Sequence, residues 1–425
     1  MRRLLRRVVS YALFALGWPA LLLHPKLREG ISVRLGWVPA RPLPPGGPTV
    51  WLHGASAGDI LALKPLALRL KHHQPQMRIV ASTITNSGRA MAERHSAAFD
   101  AVTYLPYDLP GAVARTLRRL QPDALVLEYT ELWPELIDAT KRRGVRLVLN
   151  NGRIAAANVR SYRWLFRLTG NVLEAFDAML MRSNAEAERA RLLGAPAARV
   201  HVTGNTKFDN LLAEAQPELT MTLRAAAGLQ RDAAEAVWVA GSTHEGEEEH
   251  VLQAFDRLRA DAPHLRLIIA PRYIERSERL LNLAQRLGWS TRRRSQPGEA
   301  VDVLILDTIG ELVSCYNLAT VVFVGGSLVP RGGQNILEAA ACGKPVVFGP
   351  HMQNFTDSVQ LLLGRGGLQV ASSEQLARVV GDLLANPQQR AELGTLARAQ
   401  TTSVRGAAER NARAILGLVN GDGAA

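Results

Sequence analysis

Short apolar, β-branched runs alternate along this chain with longer stretches of helical period, and the alternation runs twice with a break between the two series. Parallel βαβ units produce that rhythm, because a strand returning in the same direction needs a crossover helix. In the first series, strands are expected at 49–53, 78–82, 124–127, 146–149 and 178–181, and a helix at 60–72. The rhythm weakens over 210–235 and restarts with strands at 237–240, 266–269, 301–306, 320–324 and 345–348. The tail from 375 reads as helix, broken at Asn386-Pro387. At 425 residues the chain exceeds what one core organises, so two α/β domains are expected. The division is a leader at 1–40, a domain at 41–212, a linker at 213–234, and a second domain at 235–425 that includes the helical tail.

The net charge of +13 is concentrated at the start. The first 50 residues carry eight basic side chains (Arg2, Arg3, Arg6, Arg7, Lys26, Arg28, Arg34 and Arg41) against Glu29 alone. Between the two basic clusters runs an apolar segment, 8–23, of 16 residues, interrupted by Gly17, Trp18 and Pro19. A spanning helix needs about 20 residues. A cleaved signal peptide and a spanning anchor are alternatives, but the cationic flanks and Trp18 favour a helix lying on an anionic membrane surface. The body lacks the aromatic-interleaved basic stripe, zinc knuckle or recognition helix of a nucleic-acid binder, so no nucleic-acid partner is expected. Cys315 and Cys342 form no CxxC or Cys/His spacing, which fits a reducing compartment.

In parallel sheets ligands bind beyond the carboxyl ends of strands. The loop 51–60 offers Gly54, Gly58 and Asp59; Asp59 reads either as the N-cap of the next helix or as a general base for a sugar hydroxyl. The loop 123–136 offers Glu128 and Glu131 ahead of Trp133-Pro134, an acidic pair for holding hydroxyls or complementing a helix dipole. The second series has loops at 270–273, 307–312 and 325–340. In the last, Gly325, Gly326, Gly332 and Gly333 are expected to turn backbone N–H groups toward a phosphate, with Arg272 adding charge and Glu338 accepting from ribose hydroxyls. The pattern matches neither a Walker loop nor GxGxxG. His244 and His250 are six residues apart, not the four of HExxH, so no metal site is expected.

Taken in order, several motifs resemble those of the 3-deoxy-D-manno-octulosonic acid (Kdo) transferases. They are the His-x-x-Ser-x-Gly-acid loop at 53–59, Tyr104-Leu105-Pro106 with Asp108, Thr-Glu-Leu-Trp-Pro at 130–134, Gly204-Asn205 with Lys207-Phe208-Asp209, Ser-Thr-His-Glu-Gly-Glu at 242–247, and 323–338 continuing to Gly349-Pro350-His351 and Asn354-Phe355. The resemblance implies a GT-B fold, two Rossmann-like doubly wound domains facing a central cleft. It further implies transfer of Kdo from CMP-Kdo to a lipid A precursor at the cytoplasmic face of the inner membrane, with no metal or other cofactor. Carried over by position, Asp59 stands at the proton acceptor, and Pro271-Arg272, Ile309-Gly310-Glu311 and Asn335-Ile336-Leu337-Glu338 stand at the CMP contacts.

The chain departs from the family pattern at two places. The catalytic position, usually Glu, is Asp59, and the usual Glu-Thr-Glu reads Glu128-Tyr129-Thr130-Glu131, which moves the first carboxylate back one residue. Both changes lie in the acceptor half. Two other readings stay open from the residues alone: a catalytically weak paralogue that binds CMP-sugar and membrane, and a GT-B-like enzyme acting on another nucleotide sugar.

Overall fold

The computed structural model describes residues 7, 11–12, 14–16, 29–39, 46–211, 216–229 and 236–421. Most of the apolar leader segment lies outside these residues. The chain forms two units, Met1–Asn210 with Val404–Ala425, and Leu211–Ser403.

In the first unit, seven parallel strands are ordered β3-β2-β1-β4-β5-β6-β7. They are β1 Thr49–His53, β2 Arg78–Thr83, β3 Ala101–Tyr104, β4 Ala124–Glu128, β5 Arg146–Gly152, β6 Ala178–Met181 and β7 Val200–Val202. Every residue of β1 and β4 is buried, as befits central strands covered by helices on both faces. Successive side chains go to opposite faces. Trp51, Leu125, Leu127, Leu147 and Leu149 pack into one core, and Val50, Leu52, Val126 and Val148 into the other. The strand order reverses between the neighbours β1 and β4, and that reversal is the topological switch point where ligands bind. Several described leader residues touch this unit: Arg7 forms a paired contact with Glu135 (2.6 and 3.1 Å), the Tyr11 hydroxyl accepts the Gly111 N–H at 3.3 Å, and the Phe14 ring meets Tyr107 at 5.0 Å.

The last helix, Ala407–Asn420, returns to the first unit, whereas the sequence placed the whole tail in the domain 235–425. The reason is long-range. Ala412 and Ile415 complete the core formed by Leu63, Leu66 and Val148. Asp209 accepts the N–H groups of Gly406 and Ala408, each at 2.7 Å, and so caps that helix from 200 residues upstream.

The second unit repeats the plan, with strands ordered β10-β11-β9-β8-β12-β13-β14. They are β8 Val237–Thr243, β9 Arg266–Pro271, β10 Thr291–Arg293, β11 Val303–Ile305, β12 Val321–Val324, β13 Val346–Phe348 and β14 Gly367–Gln369. All are parallel, and the order reverses between β8 and β12. Part of the stretch expected as linker is helix, Pro217–Ala226, which carries Pro at its first position and packs on helix Leu312–Leu318 of this same unit. Among the described residues, no helix is long and apolar enough to cross a membrane.

Candidate functional site

At the switch point of the first unit, the chain leaves β1 through Gly54 and enters helix Ala57–His73. Ser56, not Asp59, is the N-cap. Its hydroxyl accepts the Asp59 N–H at 3.4 Å, while Asp59 Oδ2 accepts the Ser56 N–H at 2.9 Å, a reciprocal capping box. A side chain at Gly54 would stand 2.8 Å from Asp59 Cβ, so glycine is what lets the loop close on the aspartate. Asp59 is half-buried, and the cap engages Oδ2 only. Oδ1 takes part in no hydrogen bond among the described residues.

The strand ends on either side hold the rest of this cluster. His53 is fully buried, its Nδ1 3.0 Å from Ser82 Oγ and 3.1 Å from Ser82 O, and Ser82 Oγ also accepts the Trp51 indole N–H at 2.7 Å. The other ring nitrogen, Nε2, is buried without a hydrogen bond; Glu131 Oε2 lies 3.5 Å away, too far for a good one. Glu131 is anchored by the Trp133 indole N–H at 2.9 Å. Burial pushes the Glu131 carboxyl up, but His53 and Trp133 outweigh it, so the group sits below the usual range.

Glu128, which the sequence paired with Glu131, goes elsewhere. It is fully buried, with Oε2 accepting from Asn150 Nδ2 at 2.7 Å and Oε1 from Asn151 Nδ2 at 2.6 Å. From there hydrogen bonds run on from Asn151 to Thr206 and the Ala62 carbonyl, and from Asn411 of the last helix to Asn150. Burial, with a smaller push from the Asp59 charge, raises Glu128 to about 8 against the pull of the two amides. It is therefore a proton-holding strut under the site and does not face a substrate. Asn150-Asn151 at the end of an apolar strand is the signal in the sequence that marks this network.

The glycine loop of the second unit differs from its sequence reading. Three of its four glycine amides, those of Gly325, Gly326 and Gly333, are already occupied. Glu247, wholly buried, accepts the N–H groups of His244 (2.8 Å), Gly326, Ser327 (3.3 Å) and Leu328 (3.2 Å). Gly333 N–H goes to the Gly326 carbonyl at 2.8 Å, and Gly325 N–H to the Gly241 carbonyl at 2.8 Å. The consecutive Gly332 and Gly333 hold φ of 87° and 79°, a left-handed pair that other residues strain to adopt. The loop is thus braced at both ends, and with only the Gly332 N–H of its four glycines lacking a partner among the described residues, most of the charge for an anion falls to side chains.

Those side chains are cations around His244. Arg272 follows β9 and is exposed; Arg331 lies in the glycine loop and is also exposed. Arg276 is committed to Glu248 (2.7 Å) and Glu245 (3.3 Å), whereas no acid pairs with Arg272 or Arg331 among the described residues. Burial, then the charges of Arg331, Arg272 and Arg276, hold the His244 imidazole below its usual range, which leaves a neutral ring set edge-on to Tyr273 at 5.6 Å. The sequence singled out Arg272 but not Arg331.

The remaining expected contacts fall on the same side of the sheet. Pro271 ends β9. Ile309 is 85% exposed on the loop after β11, beside Gly310, and Glu311 is held by Arg294 at 3.4 Å. Ile336 and Leu337 have core side chains, so only their backbone is available to a ligand; Asn335 Oδ1 accepts the Leu337 N–H at 3.1 Å. Burial lifts Glu338 to about 7 against a hydrogen bond from Asn335. Among the described residues no group of His, Cys, Asp and Glu is arranged to hold a metal ion.

Residues 29–210 match the family described as 3-Deoxy-D-manno-octulosonic-acid transferase (kdotransferase). The 3-deoxy-D-manno-octulosonic acid transferase of Haemophilus influenzae is 32% identical over 394 residues, covering 91% of this chain and 90% of its own length. That of Bordetella pertussis is 34% identical over 398 residues, covering 90% of each. Among solved structures, the UDP-GlcNAc 2-epimerase from Neisseria meningitidis bound to UDP-GlcNAc aligns with a TM-score of 0.55 at 13% identity, over 87% of this chain and 99% of that one. That likeness is one of fold, and with the two parallel sheets it makes the architecture GT-B. By its matched sequence over nine-tenths of its length, the chain belongs to the 3-deoxy-D-manno-octulosonic acid transferase family of glycosyltransferases.

Proposed function

We propose that this chain transfers Kdo from CMP-Kdo to a lipid A precursor at the cytoplasmic face of the inner membrane, with Asp59 as the general base. The observation that carries the reading is the Asp59 loop. A carboxylate at a switch point is held by its own capping box through one oxygen, which leaves the other for a proton. The acceptor hydroxyl attacks the anomeric carbon of Kdo, its proton passes to Asp59 Oδ1, and the bond from that carbon to the CMP phosphate oxygen breaks, with the electron pair leaving on phosphate.

The charge that develops on the departing phosphate falls to the second unit, where Arg272 and Arg331 carry no acid partner among the described residues. Two fixed cations support a reaction that runs without a divalent ion. CMP is assigned to Pro271, Arg272, Ile309, Gly310, Glu311 and the segment from Asn335 through Ile336 and Leu337 to Glu338. The basic leader suits an acceptor that is both lipidic and phosphorylated, and a membrane surface around it.

The test is mass spectrometry of the lipid after incubating the purified full chain with CMP-Kdo and a lipid A precursor, with and without a chelator. The expected product is heavier by whole Kdo residues in both cases. A lipid left unchanged with CMP-Kdo but modified with a UDP-sugar overturns the donor assignment.

A further inference from the structure

Glu247 takes part in none of the steps above, yet it is the most fully coordinated carboxylate in the second unit. Its two oxygens gather four backbone N–H groups from two loops 80 residues apart, one after β8 and one after β12. Converging amides of this kind form an anion site. We propose that Glu247 is a positioning residue for the donor: a tethered anion that fills the amide nest at 326–328 and so sets the glycine loop and His244 in their working conformation. The inference rests on reading the second unit as the donor-binding one.

The geometry shows why the loop needs the carboxylate. A side chain at Gly325 would come within 2.5 Å of Glu247 Oε1 and 2.6 Å of Thr243 Cα, so the strand end is pressed directly onto the acid. Gly326, with φ of 65°, then turns so that its carbonyl accepts the Gly333 N–H, and a side chain there would meet the His244 ring at 3.1 Å. His244 Nε2 is 3.3 Å from the Gln334 side-chain nitrogen. Ser327 continues the chain of contacts by accepting the Gly349 N–H at 2.8 Å on its hydroxyl and the His351 N–H at 2.9 Å on its carbonyl. Two loops therefore converge on one buried carboxylate, and a third joins them through Ser327. Burial pushes that group above the usual carboxylate range, and the amides of Gly326, His244, Leu328 and Ser327 only partly oppose the push.

Removing the acid strands several buried N–H groups in a carboxylate-sized space, and a small anion supplied from solution should fill it. In the full chain, Glu247→Ala is expected to raise KM for CMP-Kdo by about tenfold or more with a smaller effect on kcat. Sodium formate, against a sodium chloride control, is expected to raise the melting temperature of Glu247→Ala but not of the parent chain, and to restore much of the lost KM. Should Glu247→Ala fail to fold, Glu247→Gln keeps the shape with one accepting oxygen and is expected to fold with an intermediate KM. A variant that folds and keeps the parent's KM overturns the proposal, as does a loss of transfer that formate neither stabilises nor restores. If the parent itself transfers no Kdo, the donor assignment fails, and the formate-dependent melting still reports on the nest.

Discussion

The two switch points occupy equivalent places in their sheets and carry opposite charge. After β1 and β4 the first unit assembles Asp59 and Glu131 above the buried, proton-holding Glu128; after β8, β9 and β12 the second assembles Arg272, Arg276 and Arg331 around His244. Each first strand is followed within a few residues by an acid that braces a loop, but the two acids are used differently. Asp59 closes the capping box on Ser56 through one oxygen and stays half-buried, while Glu247 is spent entirely on backbone amides and is dry. The same fold position thus leaves a carboxylate oxygen open in one unit and builds a strut in the other. What decides is how many of the carboxylate's lone pairs the protein already occupies.

That division can be broken experimentally. The largest effect is expected at Asp59→Ala, a loss of about a hundred- to ten-thousand-fold in transfer rate, measured by CMP release in the presence of both substrates. Arg272→Ala and Arg331→Ala should each raise KM for CMP-Kdo by roughly ten- to a hundredfold, since a charge-assisted bond to phosphate is lost. Arg331→Ala should also let the His244 pKa rise toward its ordinary value in a histidine NMR titration, because Arg331 is the leading charge that depresses it after burial.

Glu128 sharpens the comparison through pH. Its folded value, about 8, lies above its ordinary 4.5. Below 4.5 the carboxyl is neutral in both folded and unfolded chains and stability is unaffected. Between the two values the folded chain holds a proton that the unfolded chain releases, so stability falls as pH rises, by about 1.4 kcal/mol per pH unit. Glu128→Gln should flatten that slope in denaturant titrations run across this interval. The smallest effect is expected from Asp209→Ala, which uncaps the last helix at a cost of about 1 kcal/mol, read as a lower melting temperature.

The interior of each sheet was legible because buried parallel strands are continuous apolar runs, as in β1, β4, β8 and β12. The strands passed over were short or peripheral. β10 reads Thr-Arg-Arg on a sheet edge, β7 is three residues with two exposed, and β3 and β14 are similarly brief. Helix Ala57–His73 begins three residues before its expected start because Ser56 is the cap. The tail's return to the first unit and the Glu247 nest depend on partners some 80 to 260 residues away, and no local pattern encodes them. Glu128 and Glu131, three residues apart, carry no mark of which one turns inward. Burial decides that, and burial belongs to the folded chain.

The central claim is that the acid of the first unit performs chemistry while the cations of the second hold the nucleotide. Calorimetric titration of CMP into the parent, Asp59→Ala and Arg272→Ala chains tests it most directly. The account predicts an unchanged CMP affinity in Asp59→Ala, which no longer transfers, and a weakened affinity in Arg272→Ala. An Asp59→Ala chain that loses CMP, or an Arg272→Ala chain that binds it as the parent does, would contradict it.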